Sequence, residues 1–212
     1  ILSGLVGSEM CIRDSLQGDH AFRVEGLARV RDATPALLRA TRLCAYEGIR
    51  GGFGVSSTDF RQTDPGMIRA LVEHLVADGL QLLNLTAASP CLRGDGRGMR
   101  AIPDHGAPEE HALMTLARQL ALCREMRTSH PRLPLVGSGF GWLRHLVPQV
   151  AAAALHKGWM DWAGLGRGAL ACPDLPARVL DGLGLDLGAT CMVCFACTRL
   201  AQEGRTVGCV VR

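Results

Sequence analysis

Four short apolar runs alternate with segments that carry helix signals, and this alternation constrains the chain more than anything else in it. The runs are residues 40–45 (ATRLCA), 81–86 (QLLNLT), 133–137 (LPLVG) and 159–165 (WMDWAGL). The spacing predicts helices between them. Asp64-Pro65 opens one that runs to about residue 77, and Asp78-Gly79 stops it. A second is expected over residues 109–127, with Leu113, Leu116, Leu120 and Cys123 on one side, and a third over 143–156. Upstream, residues 19–31 carry Phe22, Leu27 and Val30 at spacings compatible with a helix face. A short helix is expected over 176–180, with Cys172-Pro173-Asp174 leading into it. Strands separated by helices of this length imply βαβ units and a parallel sheet. Right-handed crossovers leave two architectures, an open doubly wound sheet or a closed eight-stranded barrel.

Apolar residues are 48% of the 212-residue chain and charged residues 20%, a mixture that can bury a core. Aromatics are only 4%, so that core must be mostly Leu, Val and Ala, and Trp142, Trp159 and Trp162 are expected to pack rather than to stack on a ligand. The formal charge of +3 and the scattered basic residues give no nucleic-acid footprint. No apolar run reaches the roughly 18–20 residues of a membrane span, and no secretory signal is recognisable. The expectation is a cytoplasmic protein with neither nucleic-acid nor membrane partners.

Residues 1–14 fit nothing downstream. Their core, residues 5–14 (LVGSEMCIRD), looks like a translated sequencing adapter and is set aside as non-native. On that reading the chain is a fragment whose natural beginning lies further upstream. Residues 15–183 form the expected α/β unit and residues 184–212 a cysteine-rich extension.

Two glycine-rich turns follow consecutive strands, residues 136–141 (VGSGFG) and 164–168 (GLGRG). In many (β/α)8 barrels the loops after the last two strands bind a phosphate. Glycine lets backbone N–H groups approach phosphate oxygens, a following helix N-terminus adds partial positive charge, and Arg167 offers a charge-assisted pair. Such turns also serve ordinary loop geometry. No GxGxxG fingerprint is present for a nicotinamide-type site.

Four of the nine cysteines crowd into the last stretch as Cys191-x2-Cys194-x2-Cys197-x11-Cys209. Three closely spaced thiolates and a distant fourth suit an iron–sulfur cubane. The same four sulfurs can also bind zinc tetrahedrally. Elsewhere, residues 89–108 form a long loop rich in Gly, Pro and Arg, of a length that is often functional. His105 and His111 near it could reach a substrate, although loop histidines are more often simply solvated.

Taken in order, residues 42–47 (RLCAYE), 83–87 (LNLTA), 136–140 (VGSGF), 164–167 (GLGR) and the terminal cysteines make the chain resemble the Old Yellow Enzyme superfamily of NADH:flavin oxidoreductases. The likeness is greatest to the longer members with an iron–sulfur segment after the barrel, the dienoyl-CoA reductase and trimethylamine dehydrogenase types. The resemblance implies a TIM (β/α)8 barrel of which this chain is the C-terminal half, strands 5–8. It implies FMN contacts from Arg42 at the flavin ring, from Gly139 and Phe140 after the seventh strand, and from Gly166 and Arg167 after the eighth. It implies a 4Fe-4S cluster on Cys191, Cys194, Cys197 and Cys209, although the gap between the second and third cysteines is one residue shorter than in dienoyl-CoA reductases. NAD(P)H is the implied electron donor, acting directly or through FAD in a further C-terminal domain, and the implied substrate is an oxidised or unsaturated small molecule. The catalytic acid comes from earlier strands in this family, so the fragment alone is not expected to be a competent enzyme.

Two other readings stay open. One is a barrel isomerase or aldolase of a phosphorylated metabolite with a structural zinc site made by the four terminal cysteines. The other is a truncated half-barrel without activity, whose exposed sheet edges would draw copies together; a homo-oligomer is in any case an open expectation.

Overall fold

The computed structural model describes residues 21–48, 52–87 and 111–211. Several expectations fall outside them: the segment 1–14, the loop 89–108, and His105. Residues 49–51 of the glycine-rich loop that the sequence places at 48–54 (GIRGGFG) do as well.

The described chain forms helix α1 (Ala21–Ala33), strand β1 (Ala40–Cys44), α2 (Pro65–Ala77), β2 (Leu82–Thr86), α3 (Ala112–Ser129), β3 (Leu135–Ser138), α4 (Val147–His156) and β4 (Trp162–Gly164). Three short helices follow, α5 (Arg167–Ala171), α6 (Leu175–Leu180) and α7 (Ala196–Gln202). The four strands form one parallel sheet in the order β1-β2-β3-β4. Arg42 stands opposite Asn84, Asn84 opposite Val136, and Val136 opposite Trp162.

Because side chains alternate along a strand, this register sorts them cleanly onto two faces. Leu43, Leu83, Leu85 and Leu135 share one face and are almost fully buried. They form a single core with Ile68, Leu71, Val72 and Leu75 of α2, Leu116, Leu122 and Met126 of α3, and Ala151 and Ala154 of α4. Each fully buried leucine stabilises the fold by about 1.5–3 kcal/mol relative to an exposed one. Arg42, Asn84, Thr86, Ser138 and Gly164 share the other face. Sequential strand order explains the asymmetry. Each crossover advances in the same direction, and crossovers of one hand lay their helices on one side of the sheet. A doubly wound sheet covers both faces by reversing strand order; among the described strands the order does not reverse.

Local signals account for most boundaries. The Asp64 carboxylate accepts hydrogen bonds from Gly66 N at 3.0 Å and Met67 N at 3.2 Å, with Pro65 in the first turn of α2. Such a cap stabilises a helix by about 1 kcal/mol. The third expected helix starts four residues late, at Val147. Pro148 has no N–H to donate and fits only the first turn of a helix, so the preceding residues 140–146 wind instead as a 3₁₀ segment broken at Arg144. The fourth strand is shorter than its apolar run: Gly158, Trp159 and Met160 are used to leave α4, and the Trp159 amide donates to Ala154 O at 3.0 Å.

The inward face of α3 also differs from expectation. Leu113 is 54% exposed, and the buried face runs through Thr115, Leu116, Gln119, Cys123 and Met126. Gln119 is buried because its amide Nε2 donates to Leu85 O at 2.8 Å, tying helix to strand. His111 caps this helix, its Nδ1 accepting from Leu113 N at 3.2 Å. That local bond is the contact the structure shows for it. Of the three tryptophans only Trp159 packs on the core; Trp142 and Trp162 are exposed.

Candidate functional site: an arginine-lined cavity at the strand ends

A cavity of about 210 Å³ opens at the C-terminal ends of the strands, on the sheet face opposite the helical core. Arg42, Gly139, Phe140, Gly166 and Arg167, the five residues singled out from sequence for a flavin, all line it. They arrive from β1, from the turn after β3 and from the turn after β4. Parallel strands deliver successive loops to the same end of the sheet, where ligands bind in folds of this class.

The cavity carries a pronounced charge bias. Among the described residues three arginines line it, Arg42, Arg144 and Arg167, and no carboxylate does. The chain as a whole is nearly balanced, with 23 basic and 20 acidic residues. Arg167 Nη1 and Arg144 Nε are both buried without a hydrogen-bond partner among the described residues. A buried unpaired donor costs about 1–3 kcal/mol and more when charged; both nitrogens lie beneath the cavity surface rather than open to it.

Its floor is polar. Ser138 Oγ donates to Asn84 Oδ1 at 2.8 Å across β2 and β3. Gly164 beside them has no room for a side chain, since a methyl there would overlap Ser138 Oγ and sit 3.1 Å from Val136 Cγ1. The wall after β3 turns at Gly139, whose φ of 105° lies in the region that favours glycine. Beyond it, Gly141, Gly166 and Gly168 each border open space where a methyl would meet nothing within 4 Å. Phe140 enters the wall through its turn, while its side chain is only 1% exposed and belongs to the core.

One element of the phosphate expectation changes. The helix after Gly166 has five residues and the segment after Gly139 is a 3₁₀ turn. Neither gives a long aligned dipole. The positive charge lining the cavity comes from the arginines rather than from a helix terminus.

Arg144 carries no signal in the sequence. Its φ of 51° and ψ of −116° break the 3₁₀ segment, a conformation unusual for a non-glycine residue that costs of order 1–3 kcal/mol. Its Nη2 donates to Leu187 O at 3.1 Å, joining the cavity wall to the C-terminal segment. Cys172, expected only to lead into a short helix, is buried on the cavity wall, with Sγ 3.3 Å from Asp174 Oδ1.

The C-terminal segment closes the cavity with Leu185, Thr190, Cys191 and Val193. Behind it lies a second, smaller space of about 20 Å³, and all four expected ligands, Cys191, Cys194, Cys197 and Cys209, line it. Arg167, Thr190 and Cys191 border both spaces. The loop carrying the first three cysteines is tightly wound, with Val193 at φ 58° and Phe195 at φ 61°. Positive φ at a β-branched residue is a true outlier. The thiols match an iron–sulfur or zinc site in kind and in their shared cavity, but among the described residues no three His, Cys, Asp or Glu side chains are grouped closely enough to hold one metal ion. The space takes about one atom-sized occupant, given that a single water needs roughly 10–15 Å³. A cubane would require the 191–197 loop to open.

Among the described residues no helix is long and apolar enough to cross a membrane. No family model matches the chain, and no curated protein matches it.

Proposed function

We propose that this chain is the FMN-holding C-terminal half of a (β/α)8-barrel oxidoreductase of the Old Yellow Enzyme type, with a cysteine segment that carries a 4Fe-4S electron relay. The observation that carries the reading is the cavity at the strand ends, lined by three arginines and no carboxylate among the described residues, into which all five residues of the flavin motif converge. Sequential strand order with helices on one face supports the barrel, because a barrel keeps every helix outside and turns its other sheet face inward.

FMN, when bound, supplies hydride chemistry between NAD(P)H and an oxidised or unsaturated organic substrate. The residues of this chain bind and orient it. Gly139, Gly166 and their neighbours would form the phosphate cradle, the Arg167 guanidinium would pair with the phosphate, and Arg42 would place positive charge beside the flavin ring. Cys191, Cys194, Cys197 and Cys209 would be the cluster ligands, once the 191–197 segment opened to admit a cubane. The group acting on substrate lies outside this chain, as the resemblance implies.

A second reading has one observation in its favour. The 20 Å³ space among the cysteines is nearer the size of a single ion than of a cubane, so, were the thiols drawn closer together than they stand, it would favour a four-cysteine zinc site in a barrel isomerase or aldolase acting on a phosphorylated metabolite.

Titration of the 212-residue chain with FMN, followed by metal and sulfide analysis after reconstitution, separates them. Flavin binding that inorganic phosphate displaces, together with iron and acid-labile sulfide, is the expected result. Zinc without iron and no flavin binding would overturn the flavoenzyme reading.

A further inference from the structure

Arg144 has no place in any motif, yet it lines the same cavity as Arg167 and, like Arg167, buries a guanidinium nitrogen without a partner among the described residues. Its backbone adopts a glycine-like conformation to stand there. One of its terminal nitrogens is already committed to Leu187 O, which leaves the side chain anchored rather than free to swing into solvent. A single arginine balances one negative charge. A phosphomonoester at neutral pH carries about −1.5 to −2 and three acceptor oxygens. Two guanidinium groups lining one cavity, with no carboxylate lining it among the described residues, match that charge.

We infer that Arg144 is a second phosphate-holding residue, and that with Arg167 it makes the cavity selective for a terminal dianionic phosphate. Because Arg144 also donates to Leu187 O, anion binding steadies the stretch that leads into Cys191. The inference deepens the flavin reading, since that reading supplies FMN as the phosphomonoester, but the anion chemistry stands on the cavity itself.

The test compares the unaltered chain with Arg144→Gly and Arg144→Lys, using FMN, riboflavin and inorganic phosphate as probes. Glycine relieves the backbone conformation while removing the guanidinium, so Arg144→Gly is expected to fold at least as well as the unaltered chain. Its FMN affinity should fall about tenfold or more, the scale of one charge-assisted pair, while riboflavin affinity stays unchanged. Arg144→Lys should recover part of the loss. Thermal stabilisation by inorganic phosphate should shrink in the same order. If Arg144→Gly binds FMN and phosphate as the unaltered chain does, the inference is overturned and the flavin reading survives. If FMN fails to bind but phosphate stabilises the chain in an Arg144-dependent way, the flavin reading falls and Arg144 keeps its role. Indifference of the unaltered chain to both phosphate-bearing probes would sink the two together.

Discussion

The Arg167 guanidinium carbon lies 3.9 Å from the centroid of the Phe195 ring, so a residue that lines the large cavity also stacks on the loop that carries the cysteines. Phe195 sits between Cys194 and Cys197 and borders the smaller space. The two candidate sites therefore share a wall of Arg167, Thr190 and Cys191, and the Arg167–Phe195 contact is one route for coupling between them.

Replacing Phe195 with leucine should expose that coupling. Leucine keeps apolar bulk and carries the same Cβ into the positive-φ position, but removes the π face. A cation–π contact of this kind is worth about 0.5–2 kcal/mol. Phosphate affinity should drop by a few-fold, and amide exchange over residues 185–197 should accelerate. Unchanged phosphate affinity with unchanged exchange would show that the stacking couples nothing.

Ser138 and Gly164 should behave as a dependent pair. Gly164→Ala pushes a methyl into Ser138 Oγ and is expected to cost roughly 1–3 kcal/mol, as overpacking does. Ser138→Ala loses the bond to Asn84 and should cost about 1 kcal/mol. In the double variant the clash with Oγ is gone and only the tight approach to Val136 Cγ1 remains, so the total should fall short of the sum by at least about 0.5 kcal/mol. Urea unfolding of the four proteins checks this; strict additivity would mean that Gly164 is small for another reason.

Cys123 gives a pH signature. Burial in α3 against the sheet pushes its thiol up to about 12 from an ordinary 9.0, despite a hydrogen bond from Gln119 that pulls the other way. In the unfolded chain the thiol ionises near 9.0; in the folded chain it stays protonated. Stability from this group is therefore complete below 9.0 and is lost as pH rises toward 12, at up to about 1.4 kcal/mol per pH unit. Cys123→Ala should flatten the alkaline limb of stability against pH by one proton relative to the unaltered chain. The native thiol should also resist alkylation at mildly alkaline pH while the exposed Cys194 reacts. Equal alkylation rates for the two would contradict the burial argument.

How much of this is legible in the sequence varies with the range of the interaction. Asp64-Pro65 and Asp78-Gly79 name both ends of α2 because caps and turns act within four residues. The four apolar runs, each separated by a helix-length segment, announce the parallel sheet, since parallel strands need a long crossover between them. The face of α3 is misleading at Leu113 and silent at Gln119, because the partner that makes a buried glutamine tolerable, Leu85 O, lies 34 residues away. The shift of α4 to Val147 is readable in Pro148 but masked by the apolar residues before it.

The sequence by itself determined the alternation of strands and helices, the two glycine turns and the cysteine spacing, all of which are local. Only the tertiary structure decided that Arg42, Gly139, Phe140, Gly166 and Arg167 line one cavity, because strand register sets which face each residue joins. It also decided that Arg144 joins them and that the cysteines share a wall with Arg167. An arginine at an unusual φ has no signature in a one-dimensional pattern; its position follows from the break in the 3₁₀ segment and from a carbonyl 43 residues further on.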